Sequence, residues 1–208
     1  RRQLVSRSRR RWNPLYLWPM SEIEIREAVL SDIEGIAHVH VESWKTTYHG
    51  LLPQEVISER TLERRTQLWK GALSTPAVAS SVFVAESDGR IVAFAQFGPT
   101  RSPELAFSHE LYVIYALREF HGRGIGQALV CAGVNWLINQ SADSMMLWVL
   151  EGNTIGRRFY EKLGGSIVGR RVDPISSALV YELAYGWHDL SALANAVQRR
   201  SHFPHLRP

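Results

Sequence analysis

Cysteine and long apolar runs are scarce in this chain. Cys131 is the only cysteine among 208 residues, so no disulfide can close within the sequence, and we expect a protein of the reducing cytoplasm. No run of eighteen or more apolar residues occurs, so we expect no membrane-spanning segment. His38 and His40 stand two positions apart on a predicted helix and cannot face one metal ion, so we expect no metal site.

Acidic residues are missing from the first nineteen positions, which hold six arginines. Without this segment the formal net charge falls from +4 to −2, because six positive charges are lost. Three interpretations are open: an extension upstream of a natural start at Met20, an arm that binds nucleic acid, and a targeting peptide. The apolar run Leu15 to Trp18 is too short for a secretory signal. We favour the extension, expect no nucleic-acid partner and leave residues 1–19 out of the fold.

The stretch from Glu110 to Val130 has the pattern of a strand, a glycine loop and a helix. Leu111 to Leu117 is almost entirely apolar and rich in β-branched and aromatic residues, which is typical of a buried strand. Glycines then alternate with other residues from Gly122 to Gly126, and apolar residues recur at helical spacing from Ile125 onward. Such a loop presents free backbone N–H groups at the positive end of a helix dipole, so it predicts a phosphate-binding site.

Two common phosphate-binding motifs do not fit this loop. A P-loop ends in Gly-Lys-Ser or Gly-Lys-Thr, whereas Gln127 follows Gly126 here. A dinucleotide-binding loop has the spacing G-x-G-x-x-G, whereas residues 122–126 have the spacing G-x-G-x-G, and no acidic residue follows in the expected way. ATP and NAD are therefore both disfavoured as ligands.

The loop resembles the acetyl-CoA-binding motif of the GNAT superfamily of N-acetyltransferases. That motif is Arg or Gln, two residues, Gly, one residue, then Gly or Ala, and the segment from His121 to Gly126 matches it with a histidine at the first position. A second segment, Asn153 to Gly165, reads NTIGRRFYEKLGG and resembles the family's later helix, with Gly156 in place of the usual Ala. Because two motifs occur in the right order with a strand-like segment between them, we identify the chain as similar to this family.

The resemblance covers residues 23–183 and implies the GNAT fold, which is a mixed, mostly antiparallel sheet of six to seven strands. Helices lie on both faces of this fold, and its two central parallel strands splay apart. Local patterns agree, because they predict a strand, two helices, three strands, a helix, a strand, a helix and two strands. We expect one α/β domain at residues 20–186, followed by a tail at residues 187–208.

Several local signals set the predicted boundaries. Ser31 is predicted to cap the first helix, and Asp88-Gly89 is predicted to form a hairpin turn between two strands. The other predicted bounds are residues 60–73 for the second helix, a loop at Pro76, and residues 166–171 and 179–184 for a late pair of strands.

The resemblance implies that acetyl-CoA enters between the two central parallel strands. Its pantetheine arm would pair with the backbone of the fourth strand, and its pyrophosphate would bind the glycine loop. His121 and Arg123 could contact phosphate or be solvated loop charges, and Asn153 could contact the cosubstrate or only cap its helix. The expected acetyl-CoA-binding residues are Tyr115, Ala116, Leu117, His121, Gly122, Arg123, Gly124, Ile125, Gly126, Gln127 and Asn153.

Two residues are candidates for the chemistry of acetyl transfer. Tyr160 stands where the family's general acid usually lies, and a phenol can protonate a departing thiolate; its ring could instead only pack in the core. Glu110 stands where several family members carry a glutamate that deprotonates the amine; it could also be an exposed charge at a strand end. His109 is a weaker candidate base, because strand alternation points it to the opposite face.

The resemblance implies an amine-acceptor pocket between the first two helices and the late strands, where Trp44, Tyr48 and His49 fall. Aromatic side chains there could hold a cationic amine, such as a polyamine, an aminoglycoside or a lysine side chain, or Trp44 could simply pack between helices. The sequence therefore predicts an acetyl-CoA-dependent N-acetyltransferase that works by direct attack of a primary amine. The alternative is a CoA-binding regulatory module that lacks catalysis. A homodimer is common in the family, although no sequence feature requires it.

Overall fold

A seven-stranded sheet in the order β1-β2-β3-β4-β5-β7-β6 organises the part of the chain that the structure describes. The structure is a computed structural model and describes residues 23–74 and 80–200. The basic segment 1–19, the predicted loop at Pro76 and the last residues of the predicted tail lie outside the described residues. The strands are β1 (Ile23–Glu27), β2 (Ser81–Ser87), β3 (Arg90–Pro99), β4 (His109–Ala116), β5 (Met145–Leu150), β6 (Ser166–Ile175) and β7 (Ala178–Trp187).

Helices pack against both faces of this sheet. They are α1 (Ile33–Tyr48), α2 (Gln54–Ser58), α3 (Leu62–Ser74), α4 (Ile125–Asn139), α5 (Thr154–Lys162) and α6 (Leu190–Arg200). No helix within the described ranges has both the length and the apolar character needed to cross a membrane. Every pair of neighbouring strands is antiparallel except β4 and β5, which are parallel. The predicted mixed α/β fold with a central parallel pair is confirmed.

The start of α1 differs from the prediction. Ser31 does not cap the helix but lies in a 3-10 turn that precedes it. The carboxylate of Asp32 accepts a hydrogen bond from the backbone N–H of Val29 (2.8 Å) and forms an ion pair with Arg26 (2.7 Å). A buried aspartate tied to the first strand, and not the predicted serine cap, therefore fixes where the helix begins.

The first hairpin, β2–β3, has the predicted turn, whereas the late hairpin, β6–β7, is longer than predicted. Asp88 and Gly89 form the predicted turn between β2 and β3, and both have positive φ angles of 52° and 73°, as a type I′ turn requires. The late hairpin is longer than predicted, because the register of β6 and β7 continues to a tight turn after Ile175. The short helix α2 was not predicted as a separate element.

The two faces of the sheet have separate cores. On one face, Ile36 of α1 and Trp69 of α3 pack against Phe94. On the other face, α4, α5 and α6 share one apolar cluster. Leu190 and Leu193 of α6 are buried in this second cluster, so the core extends past residue 186, the predicted end of the domain.

The parallel pair of strands separates soon after it begins. Cα partners between β4 and β5 occur only at His109 with Met145 and at Glu110 with Met146. The register of β3 with β4 also shifts, so that Tyr112 is an extra residue with no partner on β3, and such a bulge bends its strand. A gap therefore opens between β4 and β5 at the centre of the sheet.

Candidate active site

A cleft of about 830 Å³ lies in the gap between β4 and β5. The cleft has two ends, which we call the loop end, near the glycine loop and α5, and the rim end, near the start of β4 and the β6–β7 hairpin. Of the residues predicted for the site, those that line the cleft are Trp44, Tyr48, Glu110, Tyr115, Ala116, His121, Gly122, Gly124, Ile125, Gly126, Gln127, Asn153 and Tyr160. Three others lie outside its lining: His49, Leu117 and Arg123.

The glycine loop connects β4 to α4 in a backbone conformation that favours glycine. Gly122 and Gly124 have φ angles of 75° and 82°, a region that costs other residues about 1–2 kcal/mol. Gly124 is the N-cap residue of α4 and no side chain caps the helix. The first N–H groups of α4 therefore remain available to a ligand, at the positive end of the helix dipole.

A third glycine in the loop is needed for packing. A Cβ atom on Gly126 would approach the ring of Phe159 to 3.2 Å, so its absence lets α5 lie close to the start of α4. Asn153 caps α5, because its Oδ1 accepts a hydrogen bond from the N–H of Gly156 (3.0 Å). The cap predicted from the sequence is confirmed, and it holds the start of α5 against the loop end of the cleft.

The backbone of β4 offers hydrogen-bonding groups to the gap at alternate residues. The N–H of Leu117 donates to Val92 on β3 (2.9 Å), so Leu117 and Tyr115 direct their backbone groups to β3. Ile114 and Ala116 therefore direct theirs to the gap. Of the three residues predicted to pair with a cosubstrate, only Ala116 directs its backbone groups to the gap, and Ile114, which also does, was not among them.

His121 stands where the family motif usually has Arg or Gln. Its Nε2–H donates a hydrogen bond to the carbonyl oxygen of Ala116 (2.9 Å), which also accepts one from the hydroxyl of Ser43 (3.0 Å). The imidazole therefore ties the loop to the end of β4. Arg123 is exposed, and its guanidinium lies 4.9 Å from the ring centre of Phe120.

Tyr160 lies on α5 with its ring among aromatic side chains at the side of the cleft. The ring centres of Tyr185 and Trp187 are 5.9 and 6.4 Å away. Burial raises the pKa of Tyr160 above its usual value, and the nearby phenol of Tyr48 adds to the shift. Its hydroxyl has no hydrogen-bond partner among the described residues, so it keeps its proton and faces the cleft without an acceptor.

Contacts to β7 hold α5 and therefore Tyr160 in position. The hydroxyl of Tyr185 donates to Glu161 (2.7 Å) and accepts from Arg157 (3.3 Å). Arg157 also donates to the backbone carbonyl of Glu151 (3.1 Å). A helix braced by several hydrogen bonds can hold one side chain at a fixed distance from a reacting atom.

The aromatic residues of α1 form a cluster beside the cleft. The rings of Trp44 and Tyr48 are 4.3 Å apart, and the guanidinium of Arg60 lies 4.7 Å from the Trp44 ring centre. The hydroxyls of Tyr48 and Tyr115 are 3.0 Å apart. Trp44 is buried with Leu52 and Val56, which fits packing between helices, whereas the predicted His49 is exposed and does not line the cleft.

Glu110 is buried at the floor of the rim end. Its side chain is 1% exposed, and both carboxylate oxygens accept hydrogen bonds from Arg101. The backbone N–H of Arg101 also donates to this carboxylate (2.9 Å). The structure therefore excludes the exposed strand-end charge that was one reading of Glu110. The side chain of His109 contacts Ser108 (3.0 Å) and does not line the cleft.

A second ion pair lies at the rim end. The arginines of the two pairs, Arg101 and Arg171, were not among the residues predicted for the site. Arg171 on β6 pairs with Glu182 on β7 (2.7 Å) and lies over the ring of Trp148 (4.1 Å). Arg171 and Glu182 are direct cross-strand partners, so opposite charges in a predicted hairpin were a usable signal. Arg101 follows β3 in an irregular segment, and no local pattern links it to Glu110.

Comparisons with known proteins agree with this architecture. A model of the acetyltransferase (GNAT) family matches residues 41–165. The uncharacterized N-acetyltransferase YuaI of Bacillus subtilis (strain 168) is 36% identical over 178 residues, which is 85% of this chain and 99% of that protein.

Two solved structures share the fold. PaiA N-acetyltransferase from Thermoplasma acidophilum, in complex with coenzyme A, superposes with a TM-score of 0.63 at 21% identity and covers 80% of this chain and 99% of its own. The acetyltransferase yncA from Salmonella typhimurium, with its cofactor acetyl-CoA, gives a TM-score of 0.60 at 15% identity and covers 81% of this chain and 94% of its own.

Proposed function

Because the chain belongs to the GNAT family of acetyltransferases, we propose that it transfers the acetyl group of acetyl-CoA directly to a primary amine. As a member of this family it is an acyltransferase, and acetyl-CoA is its cosubstrate. The observation that carries the proposal is the gap between β4 and β5, which joins a phosphate-binding helix start to a buried, protonated tyrosine. No covalent enzyme intermediate is part of the proposal.

The loop end of the cleft fits the chemistry of the acyl donor. The uncapped start of α4 offers N–H groups for the pyrophosphate. The backbone groups of Ile114 and the N–H of Ala116 face the gap and can pair with the amides of the pantetheine arm, as an added strand would. The carbonyl of Ala116 already accepts hydrogen bonds from His121 and Ser43. The thioester would then lie in the gap beside Tyr160.

Tyr160 is proposed as the general acid. The neutral amine attacks the carbonyl carbon of the thioester, a nitrogen–carbon bond forms, and the carbon–sulfur bond breaks. The departing thiolate takes the hydroxyl proton of Tyr160, the nitrogen loses one proton to solvent, and the phenolate of Tyr160 regains a proton from solvent. The support for this role is the position of the hydroxyl, which lies in the lining of the cleft with no hydrogen-bond partner among the described residues. Its protonation needs no special cause, since a phenol is protonated at neutral pH even at its ordinary pKa.

Glu110 is better suited to holding Arg101 than to removing a proton from the amine. A general base needs an oxygen within hydrogen-bond reach of the proton that it takes. Both oxygens of this buried carboxylate already accept hydrogen bonds from Arg101. We therefore propose that Glu110 orients Arg101 and that the acceptor amine reaches the site in its neutral form.

Calorimetric titration with acetyl-CoA, followed by a thiol-release assay over a panel of amines, tests the proposal. The Tyr160→Phe variant should lower kcat about a hundredfold or more and leave the affinity for CoA nearly unchanged. Tyr181→Phe is a matched control, because Tyr181 is half exposed on β7 and lies outside the cleft lining.

Each result of that experiment has a separate meaning. Unaltered turnover in Tyr160→Phe would remove this tyrosine from the mechanism. If acetyl-CoA binds but no amine in the panel causes release of the CoA thiol, a regulatory CoA-binding module is favoured. If acetyl-CoA does not bind, the proposed function is wrong.

Two further expectations stay predictions. Cell fractionation tests the cytoplasmic location, and light scattering on the purified protein tests the homodimer.

A further inference from the structure

The rim end of the cleft is built from two arginine–glutamate pairs that lie close together. Arg101 pairs with Glu110, and Arg171 pairs with Glu182. Burial lowers the pKa of Arg101, but the hydrogen bond and charge of Glu110 and the charge of Glu182 raise it above its ordinary value. Contacts place the two pairs in one region of the cleft, because Arg171 lies over the ring of Trp148 (4.1 Å) and the indole of Trp148 donates to Ser102, the neighbour of Arg101 (2.9 Å).

In each pair the arginine is more exposed than the carboxylate. The side chain of Arg101 is 63% exposed and that of Glu110 is 1% exposed, while Arg171 is 37% and Glu182 12% exposed. A molecule that enters the rim end therefore meets guanidinium groups first. The less exposed carboxylates balance the positive charge of the guanidinium groups and fix their orientation.

Both guanidiniums are held in one orientation and keep one free nitrogen. Each uses its Nε and Nη2 groups for its glutamate, and Nη2 of Arg171 also pairs with Asp173 (3.2 Å). Neither Nη1 forms a hydrogen bond within the described ranges. Arg101 stacks on Tyr112 at 4.3 Å, and Arg171 on Trp148 at 4.1 Å.

The two supporting rings are also fixed by hydrogen bonds. The hydroxyl of Tyr112 donates to the carbonyl of Pro99 (2.6 Å), and the indole of Trp148 donates to Ser102 (2.9 Å). The arginines therefore lose little side-chain freedom when they bind a ligand, which favours affinity.

We propose that the amine acceptor carries an oxyanion group, of the kind found in an amino acid, and that Arg101 and Arg171 bind this group. The inference rests on the proposed acetyl transfer and names its substrate class. A fixed guanidinium with a free Nη1 group suits a carboxylate, a phosphonate or a phosphinate, because the oxygens of these groups accept charge-assisted N–H bonds, here one group from each arginine.

The same geometry disfavours a polyamine. A polycation needs carboxylates that are free and reachable, but Glu110 is buried and both of its oxygens are occupied. Asp173, which also pairs with Arg171, is 40% exposed but does not line the cleft. Compared with the two glutamates in the lining, the arginines are the more accessible charges, and they would repel ammonium groups.

Three acceptors that differ only in one group provide the test: alanine, 1-aminoethylphosphonate and ethylamine. Phenylalanine and phenethylamine form a second pair with a larger side chain, and spermidine serves as the polycation. We expect KM at least about tenfold lower for the acids than for the matched amines, as loss of a hydrogen bond to a charged group implies. A preference between alanine and its phosphonate then identifies the oxyanion.

Arg171→Gln is the variant to compare, with Arg170→Gln as its control. Arg170 is the next residue on β6, pairs with Glu151 and stacks on Tyr181, but it does not line the cleft. Arg171→Gln should raise KM for the acid about tenfold and change kcat/KM for the matched amine less than twofold. Arg170→Gln should change neither, and thermal unfolding checks that each variant folds. If Arg171→Gln does not fold, Arg171→Lys replaces it.

The results separate this inference from the proposed function. Equal KM values for acid and amine, or release confined to spermidine, would overturn the inference and leave acetyl transfer intact. Equal losses for acid and amine in Arg171→Gln would also overturn it. If no acceptor causes release of the CoA thiol, calorimetry on the CoA-bound protein still tests the inference. Tighter binding of phenylalanine than of phenethylamine supports it, and equal binding contradicts it.

Discussion

The two ends of the cleft are built in different ways. The loop end relies on backbone groups from two short stretches of chain, the glycine loop and the neighbouring residues of β4. The rim end relies on side chains from α1, from the segment after β3, and from β4, β5, β6 and β7. Backbone recognition needs particular φ angles in a continuous stretch, whereas side-chain recognition needs the assembled fold. The first leaves a motif in the sequence and the second does not.

This contrast also separates what the two ends bind. A backbone site accepts any ligand with phosphates and amides, so it suits a common acyl donor. A side-chain site changes whenever one of its residues changes, so it suits a specific acceptor. The following predictions test whether the two ends are as independent as their construction indicates.

The largest expected effect concerns the buried pair at the rim end. Arg101→Met leaves the carboxylate of Glu110 buried without its main partner, and we expect the free energy of unfolding to fall by about 3 kcal/mol. Arg170→Met removes an arginine from an exposed pair with Glu151, so its loss should stay below about 1 kcal/mol. Urea unfolding of the two variants measures the difference.

A double variant sharpens this prediction. Arg101→Met with Glu110→Leu removes both charges and should recover most of the lost stability. Equal losses for Arg101→Met and Arg170→Met would mean that Glu110 is solvated, and the two ends would then differ less than we infer.

An intermediate effect is expected behind the rim end, at His40. Its ring is buried 5.4 Å from Tyr115, and its Nδ1 accepts a hydrogen bond from the indole of Trp69 (3.2 Å). Burial, with the nearby positive charges of Arg65 and Arg60, lowers the pKa of His40 to about 3. The folded protein therefore binds this proton far less readily than the unfolded chain, whose histidine has a pKa of about 6.5.

The sign of the pH effect follows from that difference. The contribution of His40 to stability is present above about pH 6.5 and is lost as the pH falls toward 3. Between pH 7 and pH 5 the loss is about 2 kcal/mol. His40→Asn keeps an acceptor for Trp69 and should remove this part of the pH dependence, while the exposed control His38→Asn should keep it. Urea unfolding at several pH values measures the slope, and equal slopes for both variants would contradict the prediction.

The smallest expected effect is in the glycine loop. Gly124→Ala forces a side chain into a φ of 82° and should lower stability by about 1 kcal/mol. It should also weaken acetyl-CoA binding without changing the KM of the acceptor. Gly71→Ala, within α3 and with open space around a Cβ, should instead stabilise the fold slightly. A parallel change in acceptor KM would show that the two ends are coupled.

Much of the fold and the loop end could be predicted from the sequence because local signals encode them. The turn at Asp88-Gly89, the cap at Asn153 and the glycine loop all depend on residues within a few positions of one another. The serine cap at Ser31 was wrong because Ser31 lies in the 3-10 turn before the helix. Asp32 is the N-cap residue of α1, but its carboxylate binds Arg26 and the N–H of Val29 and does not cap the helix. A tertiary contact overrode the local preference.

Most of the rim end could not be predicted because its contacts join distant segments; the opposite charges of Arg171 and Glu182 in the predicted hairpin are the exception. Arg101 and Glu110 belong to a loop and a strand, and nothing in their spacing indicates an ion pair. The bulge at Tyr112 appears only when β3 and β4 are in register. His49 was selected by its position beside Tyr48, but it lies past the end of α1 and is exposed.

Because β4 and β5 pair at only two positions, each has an unpaired edge in the interior of the sheet. Unpaired strand edges usually invite another strand, and proteins protect them to avoid aggregation. Here the rungs at His109 and Glu110 close one end of the gap, and helices cover both faces of the sheet. A slender arm with amide groups can enter, whereas a second sheet would meet the helices first. The feature proposed to admit the acyl donor would therefore also guard these inner edges against self-association.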